Sequence, residues 1–369
     1  MGSLRIFTYS MVFYAIVSIQ MTCCQSKVCL PEKQAPLFVF GDSLFDAGNN
    51  NYINTDASAQ ANFGPYGETF FKYPTGRFCD GRAIPDFIAE YAKLPLPLPN
   101  LHPASSLDNY IFGVNFASGG SGALVETSQG MFVDLKTQVR YYKNVRDVLR
   151  KKLGNEEAKS LLSRSVNLFS VGSNDYGARF VSNISVLQRY SKQQFVDIVI
   201  GNITEAIKDI YNLGGRKFAF VNIGPIGCSP GIRFQVKGYE CNKDMTESAT
   251  LHNAEFPRML QKLHKQLVGF KYSVFDFHTS LSQLMNYPSK YGFKEGQRAC
   301  CGGGAYRGDD SCGGKRGIKN YELCENVNDY LFFDSLHPTD RANQYFSNLM
   351  WSANLTFNKP YNMKQLFEL

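Results

Sequence analysis

The chain has 369 residues, 44% hydrophobic and 19% charged, a globular composition that excludes a disordered or fibrous protein. Its formal net charge of +7 is modest and dispersed. The densest basic cluster, Arg146 with Arg150, Lys151 and Lys152, falls in a helix-like stretch and reads as a solvated face, not a nucleic-acid surface, although weak association with acidic polysaccharide is compatible with this charge.

Arg5 followed by the mostly apolar run Ile6 to Ile19 has the form of a secretory leader, too short to span a bilayer. Small residues at Thr22, Cys23 and Cys24 place cleavage near residues 24 to 26. Residues 1–25 are therefore read as a signal peptide and 26–369 as one exported domain. No later stretch approaches transmembrane length, and Lys359 to Gln365 is too polar for a lipid-anchor signal. The expected product is secreted and extracellular, without stable membrane insertion.

Five short apolar runs then predict buried strands: Leu37 to Phe40, Ile111 to Phe116, Val166 to Val171, Lys217 to Ile223 and Tyr272 to Phe277. Stretches with apolar residues at three- and four-residue spacing separate them. Ile84 to Tyr91 precedes the second strand, Leu135 to Leu153 the third, Phe195 to Leu213 the fourth and Ala249 to Val268 the fifth. Gly214-Gly215 marks a helix C-terminus. Strand and helix in alternation imply right-handed crossovers, a five-stranded parallel sheet and a three-layer α/β/α sandwich. No repeat, linker or low-complexity tract divides it.

The chemistry concentrates at strand ends. The first strand breaks into Gly41-Asp42-Ser43, which exposes one hydroxyl, and Asp334 stands three residues before His337. A nucleophile, a base and a group to orient the base are what acyl transfer requires. Asp42 reads as a brace for the turn. Asn115 to Gly122 follows the second strand and Gly172 to Asp175 the third, and ligands of open parallel sheets bind beyond such strand ends. Backbone N–H groups of Ser43 and Gly120 and the Asn174 amide are candidate donors to an oxyanion, with Gly119 and Gly122 competing for the place of Gly120.

Gly227-Cys228-Ser229-Pro230-Gly231 fits a G-x-S-x-G elbow literally. That elbow uses the N–H of the residue after serine, and Pro230 has none. Asp276 and His278 read as a satisfied strand-end cluster, and His102, His252 and His264 as surface residues. Gly302 to Gly304 neither follows a strand nor opens a helix, so no nucleotide fingerprint is present.

Of ten cysteines, Cys23 and Cys24 leave with the leader, and the even remainder in an exported chain predicts disulfides. Cys300, Cys301, Cys312 and Cys324 lie in a glycine-dense segment, and Cys228 and Cys241 bracket a loop that suits a local pair. Zinc is the competing reading, disfavoured by the adjacent Cys300-Cys301 and the lack of a nearby histidine. Sequons begin at Asn183, Asn202 and Asn354.

Together the Gly41-Asp42-Ser43-Leu44 block and Asp334 to His337 resemble the GDSL family of serine esterases and lipases, or SGNH hydrolases, in its secreted plant branch. The resemblance implies a flavodoxin-like strand order of 2-1-3-4-5 and sets the family's Ser, Gly, Asn and His on Ser43, Gly120, Asn174 and His337. Phe333 departs from the tryptophan common before the aspartate. The implied activity is cofactor-free hydrolysis of carboxylic esters, lipid-like or small acyl, with a role in plant defence or lipid metabolism. An acyltransferase using the same serine and a non-catalytic secreted binding or signalling protein are the alternatives. The loops 54–78 and 122–131 are expected to shape specificity.

Overall fold

Side chains of successive strand residues point to opposite faces, and the two faces of this sheet are both apolar. The computed structural model describes residues 34–181, 188–309, 311–313 and 321–369. The run read as a leader and Asn183 lie outside them. Four parallel strands, β1 (Leu37–Gly41), β2 (Val166–Ser170), β3 (Lys217–Val221) and β4 (Lys271–Phe275), lie side by side in that order. Phe38, Phe40, Phe169, Phe218 and Phe220 project to one face and Leu37, Val39, Leu168 and Ala219 to the other, each within its own buried cluster.

Helices α2 (Leu135–Leu153), α3 (Asn155–Arg164), α5 (Lys192–Asn212) and α7 (Lys243–Gln266) cover the first face. Between α3 and α5, α4 (Ser173–Val181) follows β2. Helices α1 (Ile84–Tyr91), α8 (Phe277–Asn286), α9 (Asp340–Ser352) and α10 (Met363–Glu368) cover the second. The short α6 (Pro230–Gln235) follows β3. Capping residues fix several starts: Asp134, Ser191 and Thr339 each accept a hydrogen bond from the third residue beyond. Arg150, Lys151 and Lys152 occupy the last turn of α2, where cations complement the helix dipole.

Two expectations about the sheet need correction. It is mixed: a two-residue strand, β7 (Asn358–Lys359), pairs antiparallel with β4 at the edge. The run Ile111 to Phe116 is also not a strand. It lies along β1, with Val39 donating to Val114 and Phe116 to Val39 at 3.0 and 2.7 Å, but pairing reduces to one parallel bridge between Val39 and Asn115. Ile111 is the αR C-cap of the short helix Leu107–Tyr110, so the run opens in a helical turn, and Gly113 then bends the chain. Its φ of +109° is outside the extended region, and a Cβ there would stand 1.9 Å from the Leu37 carbonyl oxygen. The segment nonetheless occupies the place beside β1 that the expected order gave it.

A separate parallel pair, β5 (Glu295–Ala299) with β6 (Tyr330–Phe332), carries the C-terminal motif. Disulfides Cys300–Cys324 and Cys301–Cys312 lie beside it, and Cys228–Cys241 closes the loop before α7. These six cysteines are thus cross-links and not zinc ligands. Cys79 departs from the expected full pairing: it is a buried thiol whose Sγ donates to the Gly81 carbonyl at 3.0 Å, and burial pushes its pKa up. Cys29 is outside the described residues.

Candidate active site

β1 ends at Gly41, whose φ of +138° turns the chain past Ser170; a Cβ there would lie 1.9 Å from the Ser170 carbonyl oxygen. Gln138 of α2, fully buried, accepts from the Gly41 N–H at 2.8 Å and donates to its carbonyl at 2.9 Å. The chain then presents Ser43 at the sheet edge. Asp42 braces the turn by accepting the Leu44 N–H at 3.1 Å and the Ser170 hydroxyl at 3.4 Å. Burial pushes the Asp42 carboxyl up to about 7, against the opposing influences of the Leu44 hydrogen bond and the nearby His337.

Beyond β6, the chain closes a tight loop in which Phe333 N–H donates to the His337 carbonyl at 2.7 Å. Asp334 accepts the backbone N–H groups of Leu336 and His337 at 2.9 and 2.8 Å, so it caps its own turn. Thr339, not Asp334, caps α9. The loop sets His337 Nδ1 at 2.8 and 2.9 Å from the two Asp334 oxygens and Nε2 at 2.7 Å from Ser43 Oγ. Ser43 and His337 are 294 positions apart in sequence and meet at hydrogen-bond distance. This is the geometry by which an imidazole can take a serine proton while a carboxylate orients it.

The second and third loops converge on the same place. Gly120 has φ +83°, and a Cβ there would stand 2.7 Å from the Phe132 ring. Among the described residues neither Ser43 N–H nor Gly120 N–H has a hydrogen-bond partner. Gly119 N–H is committed to Asp46 at 2.9 Å, which removes it as a competitor. Asn174, second residue of α4, uses one amide hydrogen on the Ser121 carbonyl at 2.9 Å, and this fixes the orientation of the amide. Ser43, Gly120, Asn174 and His337 all line one cavity of about 390 Å³.

The polar residues that hold these loops escaped the sequence reading. Asp46 accepts the N–H groups of Gly48, Asn49 and Gly119. Asn49 donates to the carbonyls of Asn115 and Ala117, and Asn50 to those of Ala59 and Gly119. Asp175 accepts from Ala123, Leu124 and Thr127, tying the second loop to α4. Burial raises Asp46 and Asp175 to about 6 each. The available signal was Asp46, Asn49 and Asn50 clustered within ten positions of a predicted core strand, which a solvated turn does not need.

The decoys resolve on geometry. Ser229 lines the same cavity, but its hydroxyl donates to the Ile226 carbonyl at 2.9 Å and it precedes Pro230 at the start of α6. Asp276 caps α8 and accepts from Asn222, while His278 Nδ1 contacts the Ile223 carbonyl. His264 is exposed. His252 is the exception to the surface expectation: it is 2% exposed, with Nδ1 at 2.8 Å from the Tyr176 hydroxyl, and burial lowers its pKa to about 3. No group of three or more His, Cys, Asp or Glu placed for a metal ion occurs among the described residues.

A profile of the GDSL-like lipase/acylhydrolase family matches residues 37–350. The chain belongs to that family. It is 51% identical to GDSL esterase/lipase 1 of Arabidopsis thaliana, over 97% of each chain. It is 51% identical to GDSL esterase/lipase 5 of the same plant, over 90% of this chain and 87% of that one. A GDSL lipase of Tanacetum cinerariifolium is 48% identical over 92% and 90% respectively.

Proposed function

We propose that this GDSL-family protein hydrolyses carboxylic esters through a covalent acyl-enzyme on Ser43. His337 takes the Ser43 proton and later delivers one to the departing alkoxide, and Asp334 holds the imidazole in the tautomer that makes Nε2 the acceptor. The tetrahedral oxyanion is held by the N–H groups of Ser43 and Gly120 and the Asn174 amide. One observation carries this reading: the 2.7 Å approach of His337 Nε2 to Ser43 Oγ, with Asp334 on the opposite nitrogen.

The remainder of the cavity supports an acyl substrate of lipid-like or small character. Ile223, Ile232, Phe277, Leu281 and Phe332 are among its lining residues, and apolar walls with a few convergent polar groups suit an acyl chain beside a reacting carbonyl. Helices on both faces of four parallel strands support a three-layer, flavodoxin-like arrangement. The leader sequence and three disulfides support an exported, extracellular enzyme, and exposed Asn202 and Asn354 suit glycan attachment. Among the described residues no helix is long and apolar enough to cross a membrane.

The test is turnover of an activated aryl ester by single variants. Ser43→Ala and His337→Ala each lose several powers of ten, while Ser229→Ala keeps most of the activity. An active Ser43→Ala together with an inactive Ser229→Ala overturns the assignment.

A further inference from the structure

The cis Gly64–Pro65 bond leads into Tyr66, which lies in the loop 54–78 otherwise expected only to shape the substrate site. Tyr66 is fully buried, and its hydroxyl donates to Asp334 Oδ2 at 2.7 Å across 268 positions of sequence. The ring is wedged edge-on against Phe333, Phe63 and Phe78, at 5.2, 5.5 and 6.5 Å between centroids. Phe78 in turn lies 5.0 Å from the His337 ring. Cys300 and Cys301 close the same cluster, and their N–H groups donate to the carbonyls of Phe332 and Phe333 at 2.9 and 2.7 Å.

We propose that Tyr66 is a positioning residue for ester hydrolysis, acting through Asp334: its hydroxyl fixes the carboxylate plane that orients His337. The inference rests on the triad reading above and adds a fourth member to it. Asp334 Oδ1 is held by two backbone N–H groups and Nδ1 of His337, all from its own turn. The Tyr66 hydroxyl reaches Oδ2, which His337 Nδ1 also approaches at 2.9 Å, from a distant part of the chain, so it restrains the rotation of the carboxylate about its Cβ–Cγ bond from outside that turn. It also draws charge from the carboxylate, because a donated hydrogen bond to an ion is a strong one. With that bond gone, more of the carboxylate charge is directed at the imidazolium, which is stabilised. The acid limb of the kcat/KM profile, which reports formation of the neutral base, then moves to higher pH. Asp42 on the β1 turn also interacts electrostatically with His337, and substitutions at Tyr66 leave it in place.

The experiment is a double-mutant cycle with a pH profile, using the full mature protein and an activated aryl ester. Tyr66→Phe is expected to lower kcat about 10-fold, as loss of one hydrogen bond to a charged group does, with little change in KM and an acid limb displaced upward. Replacing Tyr66 by 3,5-difluorotyrosine keeps the shape and strengthens the phenol as a donor, so the acid limb moves downward instead. In an Asp334→Ala background Tyr66→Phe costs nothing further. A Tyr66→Phe enzyme with wild-type kcat and pH profile overturns the proposal, as does a loss that adds in full to that of Asp334→Ala. If Tyr66→Phe does not fold, the isosteric fluorinated variant decides: an unmoved or upward-shifted limb refutes the proposal. Wild-type activity in Asp334→Ala removes the triad reading itself, whereas an enzyme that needs Asp334 but ignores Tyr66 loses only this inference.

Discussion

Asn174→Ala separates transition-state stabilisation from folding and from binding. One amide hydrogen of Asn174 is fixed on the Ser121 carbonyl at 2.9 Å, which leaves the second for the cavity that Asn174 lines with Ser43. In the proposed mechanism, removing the side chain deletes one of three oxyanion donors. The expected fall in kcat is 10²–10³-fold, or about 3–4 kcal/mol, as for loss of a single donor elsewhere. KM changes little, because the donor is aimed at the developing oxyanion more than at the ground-state carbonyl. Stability loses the Ser121 hydrogen bond, about 1 kcal/mol, and Ser121 remains held through its own hydroxyl on the Gly41 carbonyl at 2.8 Å. The assay is steady-state hydrolysis of a p-nitrophenyl ester, beside circular dichroism and a melting curve. A folded variant with unchanged kcat refutes the oxyanion role. A rise in KM that accounts for the whole loss assigns Asn174 to ground-state binding instead.

Other outcomes are equally specific. His252 stays neutral in the folded protein down to about pH 3 but titrates near 6.5 when unfolded, so its stabilising share is complete above pH 6.5 and is lost as pH falls below it. His252→Gln, which keeps a hydrogen-bonding side chain for the Tyr176 hydroxyl, lacks this loss; denaturant titrations should show the wild-type advantage shrinking by about 2 kcal/mol from pH 7 to pH 5, and a pH-independent difference contradicts it. Ile232→Trp fills part of the cavity that Ser43 lines and shifts preference to shorter acyl chains. If wild-type kcat/KM grows with each buried methylene by about 0.8 kcal/mol, or roughly fourfold, the variant's series flattens; identical series for both proteins refute an acyl role for these walls.

The four parallel strands were legible because each is a continuous apolar run bounded by turn residues, and α1 and α2 were legible because an apolar face recurs at helical spacing. Residue chemistry failed at the margins. Ile111 to Phe116 has the composition of a strand, yet Ile111 closes a short helix and Gly113 sits outside the extended region against Leu37. β7 is two residues long, too short to carry any periodicity, and exists because α9 returns the chain to the β4 edge. Ser43 and Asn174 were readable as polar residues beyond predicted strands, and Asp334 and His337 by their three-residue spacing. Tyr66 was not, because nothing near it in sequence needs a hydroxyl; its partner arrives from the far end of the chain. His252 was misread for the same reason, since only the fold sets it beneath Tyr176. Cys79 escaped the parity argument because its surroundings bury a thiol with a carbonyl to accept from it.

The central claim is that Ser43 is the nucleophile activated by His337. Incubation of the mature protein with a fluorophosphonate, followed by peptide mass spectrometry, reads the modified residue directly. The expected result is one stoichiometric adduct on the peptide bearing Ser43, lost in Ser43→Ala and formed far more slowly in His337→Ala. An adduct on Ser229, or full-rate labelling in the absence of His337, would contradict it.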